Sequence, residues 1–466
     1  MKADKLNMLK RNALDGVRII SLEQVLQLPW ATMLLAEMGA EVIRVESTAR
    51  NQTREMRPFP ENHRGEQWWN QSGHYSYFAR NKKSLTLDLK RSRAVELFKE
   101  LVRVSDVVTE NNRPDVMDRL GIGYEVLRKI KPDIIMLGST GYGQTGPWRR
   151  MGAFGRCIHP MSGLQQFTGY EGGPPVGFED NDADVTTGWN NALAIMIALH
   201  HRRRTGEGTY IDMSMYETNV NWIAPALLGL QMRSSPYARL GNAHHAIAPQ
   251  GCYRCSGKDE WIAISVSTDV EWQALAQTIA QPDLSADKRF GDPLSRWKYR
   301  KELDEVLEMW TSTQDKISLM HLLQSAGVPA GALMRAPDLL SDPQLRARGY
   351  FEWFTHSPEW EGVGTRPYQG RPYRFSKTPG EMRFVATLGE HNREILGGLL
   401  GLSSREIDQL EVEEIIGTVP AAIQKGPYQD PGRGTPVPRE KLVQFGDLSA
   451  VDENYQSVLA ALIKQQ

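Results

Sequence analysis

Residues 179–184 read Glu-Asp-Asn-Asp-Ala-Asp, so four carboxylates, Glu179, Asp180, Asp182 and Asp184, crowd the stretch ahead of a long helical pattern. A carboxylate at a helix start is favoured as the anion by the helix dipole and by free backbone N–H groups. Ionised, poorly hydrated and held in line with an electrophile, it can act as a nucleophile. Asp is also a favoured N-cap residue. Pattern alone therefore reads Asp184 as a cap and does not choose among the four. A basic run, Arg80-Asn81-Lys82-Lys83, stands in a predicted loop just before a strand pattern. Cations and backbone donors there suit a phosphate, although a basic cluster is commonly a solvated face. Arg202-Arg203-Arg204 closes a helical pattern, where the dipole already favours cations, and is assigned no ligand. Cys252-x-x-Cys255 invites a zinc or redox reading. Zinc normally takes four ligands, and no second pair exists. A redox pair normally opens a helix, whereas this one falls on a predicted strand. His244 and His245 could meet a substrate carboxylate but read first as paired surface histidines. There is no H-E-x-x-H, no Walker-type phosphate loop and no G-x-S-x-G.

The elements that must position these groups follow an alternating pattern. Val17–Ile20 reads as a strand, Trp30–Met38 as a helix stopped by Gly39, and Glu41–Glu46 as a second strand, which together make a βαβ unit. Helix over 94–104, strand over 106–108, helix over 124–130 and strand over 133–137 continue it, predicting an α/β fold with a parallel sheet. Val25-Leu26-Gln27-Leu28-Pro29 follows the first strand where a dinucleotide site would carry G-x-G-x-x-G, so a nicotinamide or flavin site is not supported. Residues 185–204 give the longest helix, followed by strand 210–214 and helix 216–230. A hairpin over 252–266 and helices at 270–280, 298–312 and 315–325 then predict a smaller α+β domain. The division expected is a large α/β domain beginning with 1–234, a small domain with linkers over 235–380, and a segment 381–466 that returns to the large domain and carries an extended Pro/Gly arm at 426–436.

With 466 residues the chain is long enough for two large domains or three ordinary ones. Its 55 Lys plus Arg balance 56 Asp plus Glu, which argues against an electrostatic nucleic-acid binder. No apolar run approaches the ~18 residues of a membrane span. Three cysteines form no disulfide framework, and the amino-terminal residues have no apolar signal region, so a cytoplasmic protein is expected.

Several segments in order carry a family resemblance. They are Leu14–Ile19, Met38–Glu46, Arg80–Leu89, Glu110–Pro114 with Met117–Gly121, and Gly141–Pro147, then Asp184–Gly188, Arg204–Gly208 and Leu388–His391. Over about residues 13 to 400 the chain resembles the class III CoA-transferases, the CaiB–BaiF family. The resemblance implies a large domain with a Rossmann-like parallel sheet, a smaller α+β domain, and interlocked dimers. It implies that Asp184 relays the acyl group through an aspartyl mixed anhydride and an aspartyl-CoA thioester, with CoA thioester as substrate and no permanently bound cofactor or metal. It assigns CoA contacts to Gln24, Val25, Arg80, Asn81, Lys82, Lys83, Asn111, Asn112, Arg119 and Tyr142, to which Arg44 and Arg113 could add. Acyl-CoA and carboxylic acid are the expected partners, in a homodimer or a heteromer with a paralogous subunit. The loop 242–249 matches loosely where one transferase has a Gly-rich lid, and Thr140 stands where some members carry Lys.

Two alternatives stay open. An α-methylacyl-CoA racemase needs two proton-transfer groups, yet Ala153 stands where racemases carry a His after the Gly. A non-catalytic subunit would not need Asp184. Phe154, Arg156, Trp189, Trp68, Trp69 and Tyr75 are candidates for the acceptor pocket, and Arg156 for a second substrate carboxylate.

Overall fold

The computed structural model describes residues 12–49, 51–60, 64–177, 182–233, 238–281, 283–358, 360, 363–421 and 454–464. The Pro/Gly arm at 426–436, and Glu179 and Asp180 of the acidic cluster, lie outside them. The chain folds as two compact units, one built from 1–162, 178–224 and 346–466, the other from 163–177 and 225–345.

The first unit is organised by six parallel strands, β1 (Arg18–Leu22), β2 (Glu41–Glu46), β3 (Lys82–Thr86), β4 (Val107–Glu110), β5 (Ile135–Thr140) and β6 (Thr209–Ser214). Their order is β3-β2-β1-β4-β5-β6. Successive residues of a strand face opposite sides of the sheet. Ile20, Ile43, Val108 and Met136 accordingly enter one core, with the helices Ser92–Arg103 and Tyr124–Ile130. Ile19, Val42, Val107 and Ile135 enter the other, with the helices Gln27–Glu37 and Asp182–Thr205. A parallel sheet covered on both faces is what near-continuous Val/Ile strands require.

The amino-terminal half does not complete the first core. Ile395, Leu396, Ile407, Leu410, Ile415 and Ile416 pack into it from the end of the chain. The Asn392 amide clamps Thr86, accepting from its N–H (2.9 Å) and donating to its hydroxyl (2.9 Å). An antiparallel hairpin, β10 (Phe351–Thr355) with β11 (Thr365–Gln369), also belongs to this unit.

The second unit carries an antiparallel sheet in the order β7 (Gln250–Arg254), β8 (Trp261–Ser265), β9 (Ala330–Ala332). Helices Asp269–Thr278, Arg300–Thr311 and Lys316–Ser325 close over Trp272, Leu303, Leu307 and Leu323. Thr268 and Glu271 form a capping box at the first of these helices. Cys252 lies on β7 and Cys255 just beyond it. Both are free thiols, and burial pushes both pKa values up, away from the thiolate that metal binding or redox attack would need. Among the described residues no helix is long and apolar enough to cross a membrane.

Candidate active site

In an open parallel sheet, ligands bind beyond the carboxyl ends of the strands where the strand order reverses. Here the reversal falls between β1 and β4. A cavity of about 490 Å³ opens there. Its walls are Gln24 and Val25 after β1, Asn111 to Pro114 after β4, and Gly141 after β5, with Gly152 to Phe154 and the first turn of the Asp182–Thr205 helix.

The β1 turn is pinned on several sides. Asn111 accepts from the Gln24 N–H and donates to the Gln24 carbonyl, both at 2.9 Å. Val25 has φ of 63°, and its N–H donates to Thr53 Oγ1 at 3.0 Å. Beneath it, Gln27 donates to Ser139 Oγ (2.6 Å), which donates to Asn191 Oδ1 on the long helix (3.0 Å). This buried relay ties the two helices to β5 at the cavity floor, where Gln27 and Ser139 are themselves part of the lining.

Asp184 lines the cavity, and among the described residues it is the sole carboxylate that does. The helix begins at Asp182, three residues before the predicted start, so Asp184 lies inside the first turn rather than ahead of it. There the unpaired N–H groups and the dipole still favour the anion. The turn is fixed by Thr187 Oγ1, which bonds the Ala183 carbonyl and the Thr218 hydroxyl, each at 2.8 Å. Gly188, one turn on, lets this helix pass against Trp30 and the Gln27 carbonyl.

The mouth is basic. Arg113, Arg119 and Arg149 line it, and Arg150 joins Arg113 and Arg119 in an adjoining hollow. Asp115 takes hydrogen bonds from Arg149 (3.0 Å) and Arg150 (2.9 Å), which hold its carboxyl below the usual range. Arg113 and Arg119 have no carboxylate partner among the described residues. Behind Asn111, Glu110 is buried, and burial pushes its pKa up to about 7 against the bonds that Asn112 donates.

The structure therefore brings together Gln24, Val25, Asn111, Asn112, Arg119 and Asp184, and adds Arg113. It does not bring Arg80, Asn81, Lys82, Lys83 or Tyr142 into the lining. Arg80 is buried against Glu37 (2.5 Å), and Lys82 against Glu23 (2.6 Å) and the Pro29 carbonyl (2.9 Å). Lys83 bridges Glu41 and Glu394 at 2.6 and 2.7 Å. Asn81 bonds the backbone of Glu381 and Arg383, both at 2.6 Å. Tyr142 packs its ring against Trp148 and Tyr216.

Arg44 is equally committed, to Glu46 (3.1 Å) and Glu23 (3.5 Å). Burial opposes ionisation of Glu23, but Lys82 and Arg44 outweigh it and hold its pKa below the usual value. Trp68, Trp69 and Tyr75 are core residues rather than pocket walls. Phe154 does line the cavity, and Arg156 does not. His244 and His245 stack at 4.1 Å in the second unit. Sequence reasoning missed Thr53, His74, Gln27, Ser139 and Asn191. Each is an ordinary polar residue in its local pattern, and only long-range contacts reveal its place. Among the described residues no group of three or more His, Cys, Asp or Glu could hold a metal ion.

The model of CoA-transferase family III matches residues 14–392, most of the chain and every wall of this cavity. The chain belongs to CoA-transferase family III. It is 33% identical over 405 residues to the succinyl-CoA–D-citramalate CoA-transferase of Chloroflexus aurantiacus, covering 86% of this chain and 98% of that one. It is 32% identical over 410 residues to the beta subunit of the succinyl-CoA–L-malate CoA-transferase of the same organism, covering 86% and 98%. The crystal structure of a CaiB/BaiF family protein from Brucella suis superposes with a TM-score of 0.75 at 31% identity, covering 84% of this chain and all of that one. The protein is thus a family III CoA-transferase acting on CoA thioesters, on the α/β fold that the resemblance implied.

Proposed function

We propose that this CoA-transferase moves CoA from a succinyl-CoA-like donor to a carboxylic acid, with Asp184 as the covalent relay. The observation that carries this reading is Asp184, the one carboxylate among the described residues that line a cavity rimmed by arginines. An Asp184 oxygen attacks the thioester carbonyl, the C–S bond breaks, and CoA thiolate leaves a mixed anhydride. The thiolate then attacks the Asp184 carbonyl carbon, and the donor departs as a free carboxylate. The acceptor carboxylate attacks the resulting aspartyl-CoA thioester and expels thiolate. That thiolate attacks the acceptor's own acyl carbon, giving the new acyl-CoA and freeing Asp184. Electron and charge balance is kept without any other reactant.

CoA carries a diphosphate and a 3′-phosphate, and Arg113, Arg119 and Arg149 supply matching guanidinium groups at the mouth. Gln24, Val25, Asn111 and Asn112 line the remaining wall. Lys82 braces this wall from outside through Glu23, next to Gln24, while Arg80, Asn81, Lys83 and Tyr142 are engaged in the contacts described above and are not assigned to CoA. The succinyl donor is proposed because succinyl-CoA stands in the names of both relatives.

The working form is a dimer of two copies. Trp189, Leu193 and Ile197, spaced along one stripe of the Asp182–Thr205 helix, are 39%, 58% and 61% exposed in the single chain, and a second copy covers them. Light scattering of the purified chain tests this, since a monomer, or activity only with a second polypeptide, would overturn it.

The relay is tested by incubation with succinyl-CoA and hydroxylamine, then peptide mass spectrometry. The expected result is a hydroxamate on Asp184 and loss of transfer in Asp184→Ala. Full transfer by Asp184→Ala would refute the mechanism. Solvent deuterium at the α-carbon of an α-methylacyl-CoA, without acceptor, would favour racemisation instead.

A further inference from the structure

Val25 is the residue of this site whose backbone is hardest to explain by itself. Its φ of 63° lies in the left-handed region. For a β-branched residue that region is a genuine outlier, because Cβ crowds the carbonyl. Such strain persists where the surroundings over-determine the conformation, and it clusters at functional sites.

The surroundings here are explicit. The Val25 N–H donates to Thr53 Oγ1 at 3.0 Å, and the Val25 carbonyl lies 3.0 Å from His74 Nε2. The neighbouring Gln24 has both its N–H and its carbonyl on the Asn111 amide. Four successive main-chain groups are therefore held by three side chains from separate parts of the chain.

Thr53 is fully buried in the short helix Gln52–Glu55. His74 lies on the helix Gly73–Phe78, its ring 4.6 Å from that of Phe78. Burial holds its pKa down, which keeps the ring neutral, so the bond to the carbonyl requires the proton on Nε2. Neither Thr53 nor His74 lines the cavity, whereas Gln24 and Val25 do.

We propose that Thr53 and His74 are positioning residues that hold the Gln24–Val25 turn in its left-handed form as the wall facing Asp184. The proposal rests on the reading of this cavity as the acyl-CoA site. Without the two clamps the turn relaxes toward an ordinary backbone conformation, and Gln24 and Val25 leave the wall that they share with Asp184.

The test is a double-mutant cycle with Val25→Gly, since glycine enters the left-handed region freely. Thr53→Val and His74→Phe are made in the Val25 and in the Val25→Gly chain. Transfer from succinyl-CoA and binding of CoA by calorimetry are measured in each, with the melting temperature. In the Val25 chain each clamp variant is expected to lose about tenfold in kcat/KM. In the Val25→Gly chain the same substitutions should lose less than about threefold. His74→Gln, which retains a donor, should recover part of the loss.

Equal losses in the two chains, or losses under about twofold in the Val25 chain, would overturn the proposal. If Thr53→Val does not fold, hydrogen exchange of the native protein decides, because the Val25 amide must then be among the slowly exchanging ones. A rapidly exchanging Val25 amide counts against the clamp. Asp184→Asn measured alongside separates the two claims. Full activity of Asp184→Asn with the coupling present would sink the relay and leave the clamp standing. Loss of activity without coupling would do the reverse.

Discussion

Replacing Gly188 by alanine sets two opposing effects against each other. Gly188 lies inside the Asp182–Thr205 helix, so alanine should gain about 1 kcal/mol of helix propensity. Its Cβ, however, would stand 2.8 Å from Trp30 Cδ1, 2.9 Å from the Gln27 carbonyl oxygen and 3.0 Å from Trp30 Cβ. Ordinary carbon contacts begin near about 3.5 Å, so the helices must part by roughly half an ångström. Trp30 has little room to yield, since its ring packs against Tyr77, Phe78 and Trp189. Overpacking of this kind costs about 1–3 kcal/mol. The net stability change is then a loss of about 0–2 kcal/mol, the difference of these terms.

The activity effect should be larger. Asp184 lies four residues upstream, about 6 Å along the helix axis, and shares any displacement. A shift of this size at a nucleophile should lower kcat by roughly 10–100-fold. Transfer from succinyl-CoA and the melting temperature are measured on the same preparation. A Gly188→Ala protein that melts higher and keeps full kcat would show that only propensity acts there, refuting the close-packing argument.

Three further outcomes are expected. Glu110 takes up a proton on folding, since burial moves its pKa from 4.5 to about 7. The folded state therefore binds the extra proton between these values, and stability falls as pH rises through that window. Glu110→Gln should remove a slope worth up to roughly 3 kcal/mol, read from denaturant midpoints between pH 4.5 and 8. Parallel pH curves for the two proteins would contradict it. Arg54 makes a forked pair with Glu46 (2.9 Å on both contacts) beneath Tyr75. Arg54→Met should cost up to about 3–5 kcal/mol by removing one of the two guanidinium groups, Arg44 and Arg54, that hold the buried Glu46 carboxylate, with partial recovery when Glu46→Gln is added. Arg119→Ala should raise KM for the acyl-CoA about tenfold and weaken its salt dependence while leaving kcat unchanged; an unaltered KM would remove Arg119 from the phosphate site.

What was legible in the sequence was local. Glu41–Glu46 and Tyr124–Ile130 have the predicted bounds because Gly39 and Gly123 punctuate a clear alternation and a clear helical period. The predicted helix over 216–230 is instead broken. A turn at Asn221–Ile223 separates Met215–Val220 from Ala224–Arg233, and Pro225 falls in the first turn of the new helix, where its missing N–H is harmless. The basic run Arg80–Lys83 shows the limit more sharply. As a string it reads as a phosphate loop. Its partners Glu23, Glu37, Glu41 and Glu394 come from as far as 311 positions away, and no local pattern announces them. The β10–β11 hairpin escaped notice because its strands are short and half-buried. The cavity was legible only as an ordered set of motifs, while the residues that brace it, Thr53 and His74, carried no signal of their own.

The return of the chain's end into the first core has a consequence for biosynthesis. All six strands of the parallel sheet lie within residues 18–214, yet Ser84 is joined to His391 across 307 positions, and Ile395 to Ile416 finish the hydrophobic packing. At about 5–20 residues per second, the ribosome needs roughly 15–60 s to deliver that segment after β3 has emerged. Through that interval the nascent sheet presents Leu85, Leu87 and Phe98 without their final cover. Folding of this unit therefore cannot finish until residues 391–416 have emerged, and the unfinished face is where a chaperone would have most to hold.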